Sequence, residues 1–185
     1  PAFKKLKEDL LEKYNVDSVD DLPVNFRGVV AQYSEGRQAK VLNEFAENRM
    51  GEELQQAQIA RQFGWLSPTV AVRSISTLLA GTSLETHHRF LREAEALRLD
   101  FVQGLNKVHA EKLDYQLDMN RNASEEAADK AVVGADNWAL LSEFDFKPEA
   151  ANTRIANALV YFLQLFVWVC ITALLLKAAV RRLNP

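Results

Sequence analysis

At 185 residues, with 22 Lys+Arg against 25 Asp+Glu, the chain has room for one domain of ordinary size and carries a slight acidic excess. Its first 152 residues hold 18 of the basic and all 25 of the acidic side chains, so there is no basic stripe to neutralise phosphates, and a nucleic-acid partner is excluded from the expectations. The single cysteine, Cys170, cannot close an intrachain disulfide, and 48% apolar residues with five Pro and seven Gly describe an ordered, mainly helical chain.

The chain opens at Pro1 with neither Met nor an apolar leader, and residues 1–13 are rich in Lys and Glu; the expectation is an excerpt of a longer polypeptide. Residues 3–14 place Phe3, Leu6, Leu10 and Leu11 between charges, the pattern of a short amphipathic helix. The acidic stretch 15–23 reads as a loop or a turn of helix, and Pro23 and Gly28 keep the next residues irregular. Residues 29–63 read as one long helix with Tyr33, Val41, Phe45, Leu54, Ala57 and Ala60 mostly on one face. Gly36 and Gly51 are its weak points, each costing up to about 1 kcal/mol relative to Ala.

The sequence Phe63-Gly64-Trp65-Leu66-Ser67-Pro68 is the sharpest boundary: Gly64 ends a helix, Ser67 is an N-cap, and Pro68 suits the first helical position. The helix so begun, Pro68–Ala80, stops at Gly81 and is too short to span a bilayer. It reads either as a core helix or as an amphipathic helix on a membrane surface with Trp65 as interfacial anchor. Its one cation, Arg73, favours packing against protein. Thr82-Ser83-Leu84-Glu85 has the form of a capping box with Thr82 as N-cap. The helix it starts is expected to reach about residue 118. Its residues Phe90, Ala94, Leu97, Phe101, Leu105 and Val108 form a coiled-coil-like seam, which predicts an antiparallel hairpin with the 29–63 helix and the Pro68–Ala80 helix at its turn end. Residues 119–130 are polar and read as a loop with a partial helix. Trp138, Phe144 and Phe146 precede Pro148, which is expected to start the final helix, and these aromatics suit an interfacial belt.

Residues 158–176, ALVYFLQLFVWVCITALLL, carry no charge from Ala158 through Trp168 to Leu176. As a helix they would reach about 28 Å, close to the ~30 Å hydrocarbon core of a bilayer. Lys177, Arg181 and Arg182 follow directly, a basic cluster that favours a cytoplasmic C-terminus and puts the preceding domain outside the cytoplasm. The division expected is a helical extracytoplasmic domain at 1–152 and a transmembrane helix with a basic tail at 153–185, an all-α architecture. Gln164, Trp168 and Thr172 step by four along one face of the span, where a neighbouring membrane helix would pack.

Signals of catalysis are weak. His87 and His88 are adjacent, so on a helix they diverge by about 100° and cannot chelate one metal together, and His109 lies far along the chain. Neither a phosphate-binding Gly-Lys-Ser/Thr loop nor a Gly-x-Ser-x-Gly elbow occurs. The expectation is a protein that is not an enzyme, with no catalytic, cofactor-binding or metal-ligating residues and no cofactor.

Several landmarks together resemble a known family. They are Tyr14-Asn-Val-Asp-Ser-Val-Asp-Asp-Leu-Pro-Val-Asn25, Leu66-Ser-Pro68, Leu79-Ala-Gly-Thr82, His88 with Phe90, Ala94-Glu95 with Arg98, Leu105-Asn106, and Trp138 with Phe144-Asp145-Phe146. In this order and spacing they resemble the large extracytoplasmic insert, a domain of unknown function, of bacterial ABC-transporter permeases of the type-2 exporter class. The resemblance implies a permease subunit in the bacterial inner membrane, in contact with lipid, paired with a second permease subunit and a separate cytoplasmic ATPase that would carry any ATP hydrolysis. The helical domain would gate, or dock substrate or an extracytoplasmic protein. The alternative reading is a tail-anchored helical scaffold without transport activity.

Overall fold

The computed structural model describes residues 2–183; Pro1, Asn184 and Pro185, at the outer ends of the two expected segments, lie outside the described residues. In chain order the helices are α1 (Ala2–Tyr14), α2 (Phe26–Gln62), α3 (Pro68–Ala80), α4 (Leu84–Lys112), α5 (Tyr115–Met119), α6 (Glu125–Lys130) and α7 (Ala151–Leu183). Short 3-10 turns lie at Val19–Asp21, Phe63–Trp65 and Ala135–Leu140, and no strand occurs among the described residues. The all-α reading holds. Packing divides the chain into two compact units, one of residues 1–45 and 94–144, the other of 46–93 and 145–185, so that both α2 and α4 contribute to each.

In the first unit, the beginning of α2 runs antiparallel to the end of α4. Gly28 is buried against the backbone of Ala110, so close that a Cβ there would collide with main-chain atoms. Further along, the Gln103 Nε2 donates to the carbonyl of Gln32 at 3.0 Å, and Arg98 bonds Glu35 at 2.8 Å. Phe3 of α1 meets Tyr33 edge-on, and Trp138 lies against Phe101. The buried apolar residues here are alanines, Ala39, Ala110 and Ala131. Small side chains let backbones approach and leave little apolar bulk between them, so polar contacts do much of the specifying.

In the second unit, the end of α2 and the start of α4 are again antiparallel. Residue numbers rise on one helix as they fall on the other: Glu47 with Arg92, Glu53 with His88, Arg61 with Glu85. Here α3 packs along the first half of α7. Its inward face is Ala71, Ser74 and Ile75, at the i, i+3, i+4 spacing of one helical stripe. The expected boundaries of α3 hold to the residue, because both ends are specified locally. Pro68 occupies the first turn, and Gly81 takes the left-handed conformation (φ 70°) that only Gly adopts without strain.

Five expectations about helix ends are corrected. Helix α2 starts at Phe26, not at 29, and runs through Gly28 where irregular backbone is expected, because the Asn25 Oδ1 accepts from the Arg27 and Gly28 amides. Thr82 is not the cap of α4. Its amide donates to the Thr77 carbonyl at 2.9 Å while Gly81 donates to Leu78, a Schellman closure that uses Thr82 to finish α3. The cap falls one residue later, where the Ser83 hydroxyl accepts from the Thr86 amide. Ser67 has the extended backbone of an N-cap, but its side chain caps nothing. Pro68, lacking an N–H, removes one of the donors that would need capping. Next, α4 ends at Lys112, not near 118, because Asp114 leaves the helical region and turns its carboxylate to the Leu117 amide, starting α5. Finally, α7 starts at Ala151, not at Pro148. Pro148 disfavours helix at Lys147, whose carbonyl instead accepts from Arg89 at 2.6 Å. The aromatics ahead of it are engaged in part: Phe146 packs edge-to-face on Phe90 at 5.4 Å with the Arg89 guanidinium over its ring.

Candidate functional site: the junction of α3 with the apolar helix

Helix α7 contains a window of mean hydropathy 2.4, of which only 11% is buried, so it is long and apolar enough to cross a membrane and is not clothed like the core helix of a soluble protein. Its outward surface includes Phe162, Leu163, Phe166, Val169, Leu174 and Leu176, all exposed. One face of its first half is covered. Ala158 is fully buried and Gln164 nearly so, at 0% and 3% exposure. Gln164 lies against Gly64 of the 3-10 turn, where a Cβ would collide with its Oε1. Ten residues earlier, Arg154 donates to the Leu79 carbonyl at 2.7 Å, at the end of α3 beside Gly81. A cation at a helix C-terminus meets both an unpaired carbonyl and the negative end of the helix dipole. The chain thus grips α7 at two heights on one side.

The polar stripe expected on α7 is divided by this arrangement. Gln164 is packed against the chain's own turn, with its Oε1 lacking a hydrogen-bond partner; the half-buried Trp168 likewise has an unpartnered Nε1. Thr172 is exposed, and its hydroxyl bonds back to the carbonyls of Trp168 and Val169. Lys177, Arg181 and Arg182 are exposed on the last two turns.

Two polar clusters outside this junction escaped sequence reasoning. In the second unit, the buried His88 places Nε2 2.8 Å from Glu53, while its Nδ1 has no partner. That hydrogen bond, with Arg49 nearby, holds the Glu53 carboxyl below its ordinary value against the cost of desolvation. His87, its neighbour, is exposed. In the first unit, Asp118 is fully buried. It accepts from His109 Nε2 at 2.9 Å and Asn25 Nδ2 at 3.3 Å, and forms ion pairs with Arg27 and Arg121. Burial alone would raise its pKa, but the His109 and Asn25 hydrogen bonds and the Arg27 charge outweigh burial and hold the carboxyl below the usual range. Asn25 also caps α2, its Oδ1 accepting from the amides of Arg27 and Gly28.

An imidazole bonded to a carboxylate is the geometry of an oriented base, but Asp118 is turned inward and surrounded by donors that tie α5 to the start of α2. We read it as a fastener. An Asn immediately before a helix was the one legible sign of this cluster. Among the described residues no group of His, Cys, Asp and Glu is disposed to hold a metal ion.

No curated protein and no solved structure matches the chain. A family model does, over residues 1–147, and it ends just before α7 begins at Ala151. The chain belongs to the family described as a domain of unknown function, DUF3526.

Proposed function

We propose that the chain is the helical domain and an adjoining membrane helix of an ABC-transporter permease subunit. The observation that carries this reading is the construction of α7: an uncovered apolar helix whose first half is fixed at Arg154 and Gln164 to the DUF3526 domain. A tether needs only a linker. A helix fixed at two heights is suited to passing movement between membrane and domain. On this reading α7 crosses the bacterial inner membrane, Lys177, Arg181 and Arg182 face the cytoplasm, and residues 1–152 stand outside it. ATP hydrolysis belongs to a separate cytoplasmic ATPase subunit, and the chain itself catalyses no reaction. Closure of the ATPase pair tilts the membrane helices of two permease subunits, and the domain gates, or docks substrate or an extracytoplasmic partner.

The test is affinity purification of the tagged full-length protein from detergent-solubilised membranes of its native cells, with the co-purifying proteins identified. Stoichiometric recovery of the ATPase is expected. Recovery of the protein alone would overturn the permease reading in favour of a tail-anchored scaffold. Orientation is checked separately: in a Cys170→Ser background, a thiol label that cannot cross membranes should reach Asn122→Cys, an exposed loop position, in intact cells. Labelling only after lysis would reverse the topology.

A further inference from the structure

The turn that leads into α3 carries an apolar surface that protein packing leaves open. Phe63, Trp65, Leu66 and Val72 are 54%, 49%, 72% and 53% exposed. Residues 62–72 contain no charged side chain and are bounded by Arg61 and Arg73. We propose that this segment is a re-entrant element that dips into the hydrocarbon of the bilayer beside α7, its exposed side chains in contact with acyl chains. The proposal rests on α7 being a membrane span.

Register supplies the first argument. Because α3 is antiparallel to α7, its end at Leu79 lies level with Arg154, and the turn at Gly64 lies level with Gln164. Gln164 is six residues past Ala158, the start of the uncharged run, which is about 9 Å along the helix axis. With α7 across a membrane, the turn reaches roughly a third of the way into the ~30 Å hydrocarbon layer. A surface lying at that depth meets lipid unless protein covers it.

Backbone chemistry supplies the second. Non-helical backbone is tolerated in hydrocarbon only where its polar groups are satisfied from within the chain. Here the amides of Leu66 and Ser67 both donate to the Phe63 carbonyl at 2.9 Å, Val70 donates to the Ser67 carbonyl at 3.2 Å, and Pro68 has no amide proton. Gly64 is buried against Gln164.

Charge placement supplies the third. Arg61, the cation nearest the turn, is held by both carboxylate oxygens of Glu85 and has Tyr161 beside it, so it enters the region of the membrane boundary already paired. Arg73, near the middle of α3, is exposed, and its long side chain can extend from there toward the headgroups.

Single-tryptophan fluorescence of the full-length protein in phosphatidylcholine vesicles tests the proposal. Trp138→Phe with Trp168→Phe leaves Trp65 as reporter. A control removes all three indoles and adds Phe166→Trp on the exposed face of α7. With phosphatidylcholine brominated in its acyl chains, Trp65 emission should fall by about half or more, as expected for an indole in the hydrocarbon layer, and aqueous iodide should have little effect. Quenching by iodide but not by bromolipid, with Phe166→Trp quenched by bromolipid, overturns the insertion and leaves the span of α7 standing. If neither reporter responds to bromolipid, the span reading falls and the proposal with it. Shielding of Trp65 from both quenchers means that a protein surface covers it, and also overturns the proposal. Should Trp168→Phe loosen α3 from α7, a nitroxide on Leu66→Cys in the Cys170→Ser chain probes the same depth with the indoles intact. It should collide with oxygen and not with a water-soluble nickel chelate, and the reverse preference overturns the insertion.

Discussion

Asp118 in the first unit and Gln164 in the second are both polar side chains removed from solvent, and the chain treats them in opposite ways. Every side that Asp118 presents meets a donor: His109, Asn25, Arg27 and Arg121. Gln164 is pressed against a glycine and keeps an unpartnered Oε1. A satisfied buried polar group fixes a unique arrangement, whereas an unsatisfied one destabilises by its lost hydration. The first unit is built to be held in one state. The second holds α7 by one hydrogen bond, from Arg154 to the Leu79 carbonyl, and by the close fit of Gln164 against Gly64, with the Gln164 Oε1 left unpartnered.

The contrast can be broken most severely at Asp118. Asp118→Ala should destabilise the first unit by about 1–3 kcal/mol, because the buried Asn25 amide and the His109 Nε2 lose their acceptor while the half-exposed Arg27 and Arg121 stay hydrated; thermal and urea unfolding of the detergent-solubilised protein, followed by circular dichroism, measures it. The same carboxyl predicts acid sensitivity. Its folded pKa lies below the ordinary value of about 3.9, so its contribution is complete above that value and is lost as pH falls through it toward the lowered folded value. The melting temperature of the wild type should therefore converge on that of Asp118→Asn as pH is lowered through this window; parallel curves would show that the cluster contributes nothing.

Two glycines then compare the units directly. At Gly28 a Cβ meets the backbone of Ala110 and His109, which cannot step aside, so Gly28→Ala should cost about 1–3 kcal/mol. Ser83→Ala should cost about 1 kcal/mol, whereas Thr82→Ala should cost less than about half of that, since Ser83 supplies the cap. Gly64→Ala meets only the end of the Gln164 side chain, which can turn away, and should cost less than about 1 kcal/mol. Adding Gln164→Ala should restore the loss. An equal penalty at Gly64 and Gly28 would mean that the α7 junction is as rigid as the first unit.

Legibility in the sequence followed the range of the interaction. The ends of α3 were readable because Ser67-Pro68 and Gly81 act within a few residues. Thr82 misleads because two adjacent residues, Thr82 and Ser83, can both cap, and only the Schellman bond from Thr82 decides between them. The break after Lys112 was hidden because an Asp within a charged helix looks like surface until its carboxylate is seen on Leu117. Gln164 stood out as a polar exception in an apolar run. Its partner, Gly64, is a hundred residues earlier, and no local pattern connects them. Asp118 was hidden for a similar reason: Asn25 and Arg27 are 93 and 91 residues away, and His109, nine residues back, meets it only because the chain turns after Lys112.

The two grips on α7, at Arg154 and Gln164, lie about 15 Å apart along its axis. A rod held at one point pivots; a rod held at two transmits torque. A tilt of α7 that keeps both contacts carries α3 with it, and the short Gly81–Ser83 link joins the end of α3 directly to the first turn of α4, so a change of angle in one helix becomes a displacement of another.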